Sequence, residues 1–305
     1  MSKIKNILFR ADSSSTIGLG HIMRDLVLAK KYSKKGAKIT FATQNLKGNI
    51  NQKILNSGFS VKILKSNSKK ELVKLIKKLK INLLVIDHYK INYKKEKYIK
   101  EKTDVKILSL DDTYEKHYCD TLLNHNLGAD KRKYKKLVPS TCRVFCGSKY
   151  TLVRDEFIKE KSKKRKKKNK VKTIFLAMGG ADHSNINIDI LKVLKKFENL
   201  KVYVVTTNAN KNLKQLKKYT QTKKWVRLYI NSNKIAKLMK KSDFAIVTPS
   251  VILNEVYFMK VPFLAIRTAL NQKDIYKYLK NKKFYVLNKF KILKVEKKIF
   301  NLLKN

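Results

Sequence analysis

A histidine stands directly behind two glycines, in a segment that joins a strand-like apolar run to a helix-like run. The segment reads Arg10-Ala-Asp-Ser-Ser-Ser-Thr-Ile-Gly-Leu-Gly-His21. Because glycine tolerates positive φ and close backbone approach, Gly18 and Gly20 suit a tight loop beside a ligand. A helix beginning at His21 would point its free N–H groups and positive dipole end at that ligand, which favours an uncharged imidazole. His21 is therefore our candidate general base, against the alternative that it caps or packs in the loop.

The glycine spacing in this segment argues against a dinucleotide site. A nicotinamide- or flavin-binding fingerprint needs a third glycine, and Met23 occupies that position. We therefore expect no cofactor here.

Polar residues also follow the ends of two later apolar runs. Asp87, His88 and Tyr89 come directly after one run, where ligands are often bound. Asp87 is expected to orient a base or to cap the next element. His88 or Tyr89 is expected to contact a substrate, with ordinary loop hydrogen bonding as the alternative. Asp111 ends the next run, where capping of the following turn is favoured over a catalytic role.

The second half of the chain carries a glycine pair of its own. The segment Ala177-Met-Gly-Gly180 follows a strand-like run and precedes a helix-like run. The backbone N–H groups of Gly179 and Gly180 can hold phosphate oxygens, and Ser184 is expected to cap the helix. The segment lacks the lysine of a Walker loop, so hydrolysis of nucleoside triphosphates is not indicated. An ordinary strand-to-helix turn is the alternative.

Two further strand-to-helix junctions of the second half carry polar residues. Thr248 or Ser250 is expected to cap one helix, and Glu255 lies about one turn inside it. That carboxylate could accept both hydroxyls of a ribose. Asn271 and Gln272 follow the next strand and add two amides at the same edge of the sheet.

Short apolar runs and amphipathic runs alternate along the whole chain. Runs that are apolar at consecutive positions are typical of parallel strands covered on both faces by helices. Their alternation with helices indicates right-handed βαβ units. The predicted strands are Asn6–Arg10, Lys38–Ala42, Ser60–Leu64, Asn82–Asp87, Val105–Leu110, Thr121–Asn124, Arg143–Cys146, Thr173–Met178, Lys201–Thr206, Val226–Ile230, Phe244–Val247, Pro262–Ile266 and Phe284–Leu287.

These patterns predict an α/β chain with two Rossmann-like domains, each a doubly wound parallel sheet, and an interdomain cleft. We expect a first domain at 1–158, a lysine-rich linker at 159–172 and a second domain at 173–305. A nucleic-acid or localisation patch is the alternative reading of the lysine run.

The formal net charge of the 305 residues is +51. Nucleic-acid binders usually concentrate their basic residues on one face, whereas these lysines are spread from end to end and arginine is rare. We interpret the excess as the drift of an AT-rich genome and expect no nucleic-acid partner. The field would still attract an anionic substrate.

The same composition bears on location. No apolar run is long enough to span a membrane, and the N-terminus runs straight into a strand-like segment without a leader pattern. We expect a cytoplasmic monomer with no membrane partner. The three cysteines lack metal-ligand spacing, so we expect reduced thiols and no metal site.

Several of these motifs together resemble the UDP-2,4-diacetamido-2,4,6-trideoxy-β-L-altropyranose hydrolases of pseudaminic acid biosynthesis. The resemblance spans nearly the whole chain, and the histidine segment from Arg10 to Asp25 is its most specific part. The supporting motifs are Ile86–Tyr89, Cys146–Phe157, Met178–Asp182, Asn254–Glu255 and Asn271–Gln272.

The resemblance implies a GT-B architecture similar to that of MurG, a UDP-sugar as substrate and no metal. It implies that His21 activates a water that attacks C1 with inversion and releases UDP. It further implies that Tyr89 and Asn271 line the sugar site, that Asn254 or Glu255 holds the nucleoside, and that the Ala177–Gly180 turn faces the diphosphate. The positions predicted to bind substrate are Arg10, Asp12, Ser14, Gly18, Gly20, Tyr89, Arg154, Gly179, Gly180, Asn254, Glu255, Asn271 and Gln272.

Three other functions remain open at this stage. A GT-B glycosyltransferase would replace the water with an acceptor hydroxyl, and a hydrolysing epimerase would act on a related UDP-sugar. A nucleic-acid-binding protein would use the lysines and would bind with a steep salt dependence.

Overall fold

The computed structural model describes residues 5–163 and 171–304. Within them the chain divides into two compact units, the first ending at Leu152 and the second beginning at Val153. Helix α5 (Asp155–Ser162) thus belongs to the second unit, although the sequence suggested a first domain reaching residue 158. The start of the expected linker at 159–172 lies in this helix, and residues 164–170 lie outside the described residues.

The first unit is built on a parallel sheet of seven strands in the order β3-β2-β1-β4-β5-β6-β7. The order reverses between β1 and β4, which makes their carboxyl ends the switch point where such sheets bind ligands. The strands are β1 (Asn6–Ala11), β2 (Lys38–Thr43), β3 (Ser60–Ile63), β4 (Leu83–Asp87), β5 (Lys106–Leu110), β6 (Thr121–Asn124) and β7 (Arg143–Cys146).

Helices cover both faces of this sheet, as the continuous apolar strands require. Ile7 and Phe9 of β1 pack on one face with Ile22 of the first helix, while Leu8 packs on the other with Leu72. All are fully or almost fully buried, and each contributes about 1.5–3 kcal/mol of transfer free energy. The helices are α1 (Gly20–Ser33), α2 (Asn51–Leu55), α3 (Lys69–Lys78) and α4 (Tyr93–Lys102).

The second unit repeats the design with six parallel strands in the order β10-β9-β8-β11-β12-β13. Its switch point lies between β8 and β11. The strands are β8 (Thr173–Ala177), β9 (Lys201–Thr206), β10 (Val226–Ile230), β11 (Phe244–Val247), β12 (Phe263–Ile266) and β13 (Tyr285–Leu287). Besides α5, the helices are α6 (Asn187–Leu194), α7 (Leu213–Thr220), α8 (Ile235–Lys241), α9 (Val251–Phe258), α10 (Lys273–Asn281) and α11 (Ile292–Lys304).

Two parallel-sheet α/β units confirm the predicted fold class. Among the helices described, none combines the length and apolar character that crossing a bilayer demands. Cys119, Cys142 and Cys146 are free, as expected, and the Sγ atoms of Cys119 and Cys142 lie 3.7 Å apart.

Candidate active site

The loop that follows β1 carries His21 to the switch point of the first sheet. Helix α1 begins at Gly20, one residue earlier than predicted, because Gly20 adopts a helical conformation. Of the two glycines, Gly18 has a positive φ of +88° and Gly20 does not. The residue before the helix, Leu19, offers no side-chain cap, so the N–H groups of the first turn are not capped from that position.

Hydroxyl groups fix the shape of this loop. Ser14 Oγ accepts hydrogen bonds from the backbone N–H groups of Thr16 and Ile17, at 3.1 and 2.9 Å. Ser14 and Gly18 also exchange backbone hydrogen bonds. Ser13 Oγ accepts from the N–H of Ile50, which ties the loop to the segment after β2. Ser14 therefore holds the loop in shape, and its predicted substrate contact stays a prediction.

His21 is anchored through one ring nitrogen. Its Nδ1 lies 2.6 Å from Oδ1 of Asp87, at the end of β4, and its side chain is only 10% exposed. The carboxylate accepts a hydrogen bond, so the proton of the neutral ring is on Nδ1. Among the described residues, the hydrogen-bond contacts of the ring are all at Nδ1. That tautomer keeps the lone pair on Nε2, the nitrogen able to take a proton from water.

Arg24 holds Asp87 in place. Its Nε donates to Asp87 Oδ2 at 2.6 Å, and its Nη2 donates to Asp87 Oδ1 at 2.5 Å. Burial alone would raise the pKa of Asp87, but the adjacent Arg24 and His21 hold it well below its usual range. Asp87 is therefore a carboxylate that orients the ring of His21, the candidate base.

A second acid and a tyrosine extend this cluster. Arg24 Nη1 donates to Asp112 Oδ2 at 3.1 Å, and the hydroxyl of Tyr89 donates to Asp112 Oδ1 at 2.8 Å. The Tyr89 ring meets the His21 ring edge to face, with centroids 5.0 Å apart. Tyr89 is 51% exposed, so the wall it forms beside His21 is open to solvent.

Arg10 and Asp12 lie beneath the loop and are buried. The two guanidinium Nη atoms of Arg10 donate to the two oxygens of Asp12, at 2.7 and 2.8 Å. His88 Nε2 lies 2.9 Å from the same carboxylate, and Asn67 accepts a further hydrogen bond from Arg10. Burial alone would raise the pKa of Asp12, but His88 and Arg10 hold that pKa well below its usual range. Arg10 and Asp12 are thus hydrogen-bonded to each other. Their predicted substrate contacts stay predictions.

Asp111 caps the turn after β5, as the sequence favoured. Its carboxylate accepts hydrogen bonds from the N–H groups of Thr113 and Tyr114. It also faces His117, whose Nδ1 lies 2.8 Å from buried Glu96. Burial opposes protonation, yet Asp111 and Glu96 raise the pKa of His117 to about 10. This cluster supports the turn after β5, which carries Asp112.

In the second unit, the glycine turn after β8 sits at the switch point of its sheet. Gly179 has a φ of +86°, and a Cβ atom there would meet nothing within 4 Å. The carbonyl of Gly180 accepts from the hydroxyl of Thr207 at 2.8 Å, which fixes the turn. Ser184 is not the helix cap that was predicted. Helix α6 starts at Asn187 without a side-chain cap, because the Ser184 hydroxyl donates to Asp182 instead.

Arg154 and Glu255, both predicted to bind substrate, bind each other. Arg154 Nε and Nη2 donate to the two oxygens of Glu255, at 2.7 and 2.9 Å. Glu255 is 2% exposed, and its burial raises the pKa of the carboxyl even though Arg154 opposes the shift. The pair joins the segment before α5 to α9, and a ribose contact of Glu255 stays a prediction.

The other residues of the second unit that were predicted to cap a helix or to bind substrate follow strands β11 and β12. Ser250 occupies the cap position of α9, but its hydroxyl lies 3.0 Å from that of Thr248 and forms no cap hydrogen bond. Asn254 is buried in the first turn of α9. Asn271 is exposed after β12, while Gln272 folds back and accepts from the N–H of Thr268 at 2.8 Å.

Sequence reasoning did not assign functional roles to Arg24, Asp112, Asp25 or His125. Arg24 was detectable because it lies one helical turn after His21 and so shares its face. Asp25 shares that spacing, but only the fold brings it and His125 near Asp87.

Solved structures with similar folds define the architectural class. MurG of Acinetobacter baumannii superposes with a TM-score of 0.64 over 99% of this chain and 91% of its own, at 12% identity. The spinosyn rhamnosyltransferase SpnG superposes with a TM-score of 0.66 over 98% and 92%, at 10% identity. The chain is therefore a two-domain protein of the GT-B fold.

Sequence relatives define the family. A UDP-2,4-diacetamido-2,4,6-trideoxy-β-L-altropyranose hydrolase of Campylobacter jejuni is 42% identical over 284 residues, which cover 93% of this chain and 99% of the relative. The spore coat polysaccharide biosynthesis protein SpsG of Bacillus subtilis is 24% identical over 86% of this chain and 77% of its own length. No family model matches the sequence. The chain belongs to the UDP-2,4-diacetamido-2,4,6-trideoxy-β-L-altropyranose hydrolase family.

Proposed function

We propose that this chain hydrolyses UDP-2,4-diacetamido-2,4,6-trideoxy-β-L-altropyranose to UDP and the free sugar. The observation that carries the proposal is the His21–Asp87 pair. It presents an oriented imidazole at the switch point of a parallel sheet, in a member of the hydrolase family. The proposal includes a cytoplasmic monomer that needs neither metal nor nucleic acid.

His21 acts as the general base in this proposal. Its Nε2 takes a proton from a water while the water oxygen forms a bond to C1 of the sugar. The bond between C1 and the diphosphate oxygen breaks, UDP leaves with the electron pair, and the configuration at C1 inverts. Asp87 stabilises the imidazolium that forms and fixes the tautomer that precedes it. Base catalysis of this kind contributes a factor of about 10² to 10⁴.

The leaving group needs charge stabilisation more than protonation. A diphosphate departs readily once backbone N–H groups and cations spread its charge. The Gly179–Gly180 turn supplies such N–H groups, and its fixed carbonyl and open Gly179 surface support this assignment. Asn254 is proposed to contact the nucleoside. Tyr89 and Asn271 are proposed to contact the sugar, since both are exposed at strand ends.

A reaction in ¹⁸O-labelled water tests the proposal. The purified protein is incubated with the diacetamido UDP-sugar, and UDP release and the sugar anomer are followed by NMR. We expect release of UDP, the label at C1 of the sugar and none in UDP, and the inverted anomer first. Label found in UDP would place the cleavage at phosphorus. A 2-epimerised sugar, or turnover only with an added acceptor, would favour an epimerase or a transferase instead.

A further inference from the structure

One acidic side chain near the base has no evident donor. Asp25 lies in α1 one helical turn after His21, and it is 0% exposed. Neither of its carboxylate oxygens receives a hydrogen bond from any described residue. A buried carboxylate without donors costs several kcal/mol, so an ionised Asp25 has no physical support at this position.

The surrounding charges explain which protonation state of Asp25 is stable. The Asp25 carboxyl contacts that of Asp87, and burial together with this like charge raises the pKa of Asp25 well above its usual range. The cationic neighbour, Arg24, directs its donors to Asp87 and Asp112.

The other titratable group beside Arg24 and Asp87 supplies no charge. His125 follows β6, and its Nδ1 accepts from the N–H of Leu152. Burial and the nearby Arg24 lower the pKa of His125 to about 3, so its ring is neutral at pH 7. Within the part of the chain that the structure describes, Asp25 therefore has no hydrogen-bonded positive partner of its own.

A single proton resolves the conflict. Two carboxyl groups in contact do not both ionise readily, and Asp87 already accepts hydrogen bonds from His21 and from two nitrogens of Arg24. The proton therefore resides on Asp25. In that form Asp25 is a donor, and the acceptor it needs is the Asp87 carboxylate beside it.

We propose that Asp25 is a positioning residue, held as a neutral carboxylic acid that donates a hydrogen bond to Asp87 and thereby limits the basicity of the His21–Asp87 pair. Only the catalytic consequence rests on the proposed function. The protonation of Asp25 belongs to the folded protein and is measurable without any substrate.

The direct test is the pH dependence of unfolding in the wild type and in Asp25→Asn. Between pH 5 and 7 the unfolded wild type carries an ionised Asp25, while the folded protein keeps it protonated. Its stabilising contribution is thus present below pH 4 and declines as the pH rises. We expect the unfolding equilibrium constant of the wild type to rise about tenfold per pH unit relative to Asp25→Asn. A pH-independent ratio would overturn the proposal.

Asp111→Asn is the matched control. Burial raises the pKa of Asp111, but His117 and Tyr134 outweigh it and bring the pKa to about 2. Asp111 is therefore ionised in both states between pH 5 and 7. Between pH 5 and 6, where His117 is also protonated in both states, the ratio of the unfolding equilibrium constants of Asp111→Asn and wild type should stay constant. Infrared difference spectra add a readout at a single pH. The C=O band of a protonated carboxyl should be present in the wild type and absent from Asp25→Asn, and its persistence would overturn the assignment.

Kinetics then test the positioning role. Asp25→Asn keeps a neutral donor, so the acid limb of its kcat profile should coincide with that of the wild type. Asp25→Leu removes the donor, leaves Asp87 more basic and should move the acid limb to higher pH. A downward shift in Asp25→Asn would mean that an ionised carboxylate had been removed, which would contradict the proposal. Failure of the hydrolysis itself would leave the unfolding result intact.

Discussion

The two switch points use their polar groups differently. In the first unit, side chains from α1, β4 and the end of β5 converge in a buried network around His21, with Arg24 joining Asp87 to Asp112. In the second unit, the turn after β8 is held by hydrogen bonds to its own backbone, and Gly179 faces open space.

This contrast matches two kinds of chemistry. A base must be oriented within a few tenths of an ångström, which a network of locked side chains achieves. A diphosphate needs several weakly directional donors, which a glycine turn supplies from its backbone. The same sheet topology therefore carries the proposed reaction centre in one unit and a candidate anion site in the other.

The largest effect should come from the base itself. His21→Asn should fold normally and lower kcat by about 10² to 10⁴, because the proposed mechanism assigns the proton from water to His21. KM should change little, since the imidazole acts mainly in the transition state. Steady-state UDP release gives both constants, and the thermal unfolding midpoint controls for folding. Retention of the wild-type rate would eliminate His21 as the base.

Asp87→Asn should have the next largest effect. The amide can donate to Nδ1 and so stabilise the tautomer whose Nε2 already carries a proton. We expect kcat to fall on the order of 10², with a loss of stability because Arg24 loses its main partner. The pH–rate profile and urea unfolding measure the two effects separately. An unchanged kcat would mean that the His21–Asp87 contact is structural only.

A substitution in the Gly179–Gly180 turn should change KM rather than kcat. Gly179→Ala places a side chain at a φ of +86°, which strains the backbone by about 1–2 kcal/mol and covers the turn. We expect KM to rise about tenfold with kcat nearly unchanged, because ground-state and transition-state binding are lost together.

Gly58→Ala is the control for this change. Gly58 has a φ of +82° and equally open surroundings, in the turn before β3. Gly58→Ala should lower the free energy of unfolding by a similar amount without altering KM. Equal effects of the two substitutions on KM would remove the turn from the substrate site.

Tyr89→Phe should have the smallest effect. It removes the hydroxyl that donates to Asp112 but keeps the ring beside His21. One exposed hydrogen bond corresponds to about 0.5–1.5 kcal/mol, so we expect kcat to fall by a few fold. Tyr89→Ala should fall further because the ring is lost. Equal rates for the two variants would assign the effect to the hydroxyl alone.

The regular elements were largely predictable from the sequence. Every predicted strand forms, because runs such as Leu83–Ile86 are apolar at each position and suit a sheet covered on both faces. Helix α2 was missed because it has only five residues and no clear period. Helix α5 was missed because lysines dominate the end of its sequence. Part of what holds that end is a distant contact, the hydrogen bond from Lys240 Nζ to the carbonyl of Glu160.

The site was predictable only in part. His21 and Asp87 stood out because each follows a strand-like run. Their direct contact is set by the parallel pairing of β1 with β4, which is invisible at a separation of 66 residues. The mutual pairing of Arg154 with Glu255 was hidden for the same reason. Local sequence reports residue type and position, but tertiary packing decides which polar groups satisfy one another.

The tautomer of His21 is the most direct measure of the central claim. The protein labelled with ¹⁵N in its five histidines is compared by NMR with His21→Asn, which assigns the signals of His21. We predict a proton on Nδ1 and none on Nε2. A signal showing Nε2 protonated, in either a neutral or a charged ring, would contradict the account.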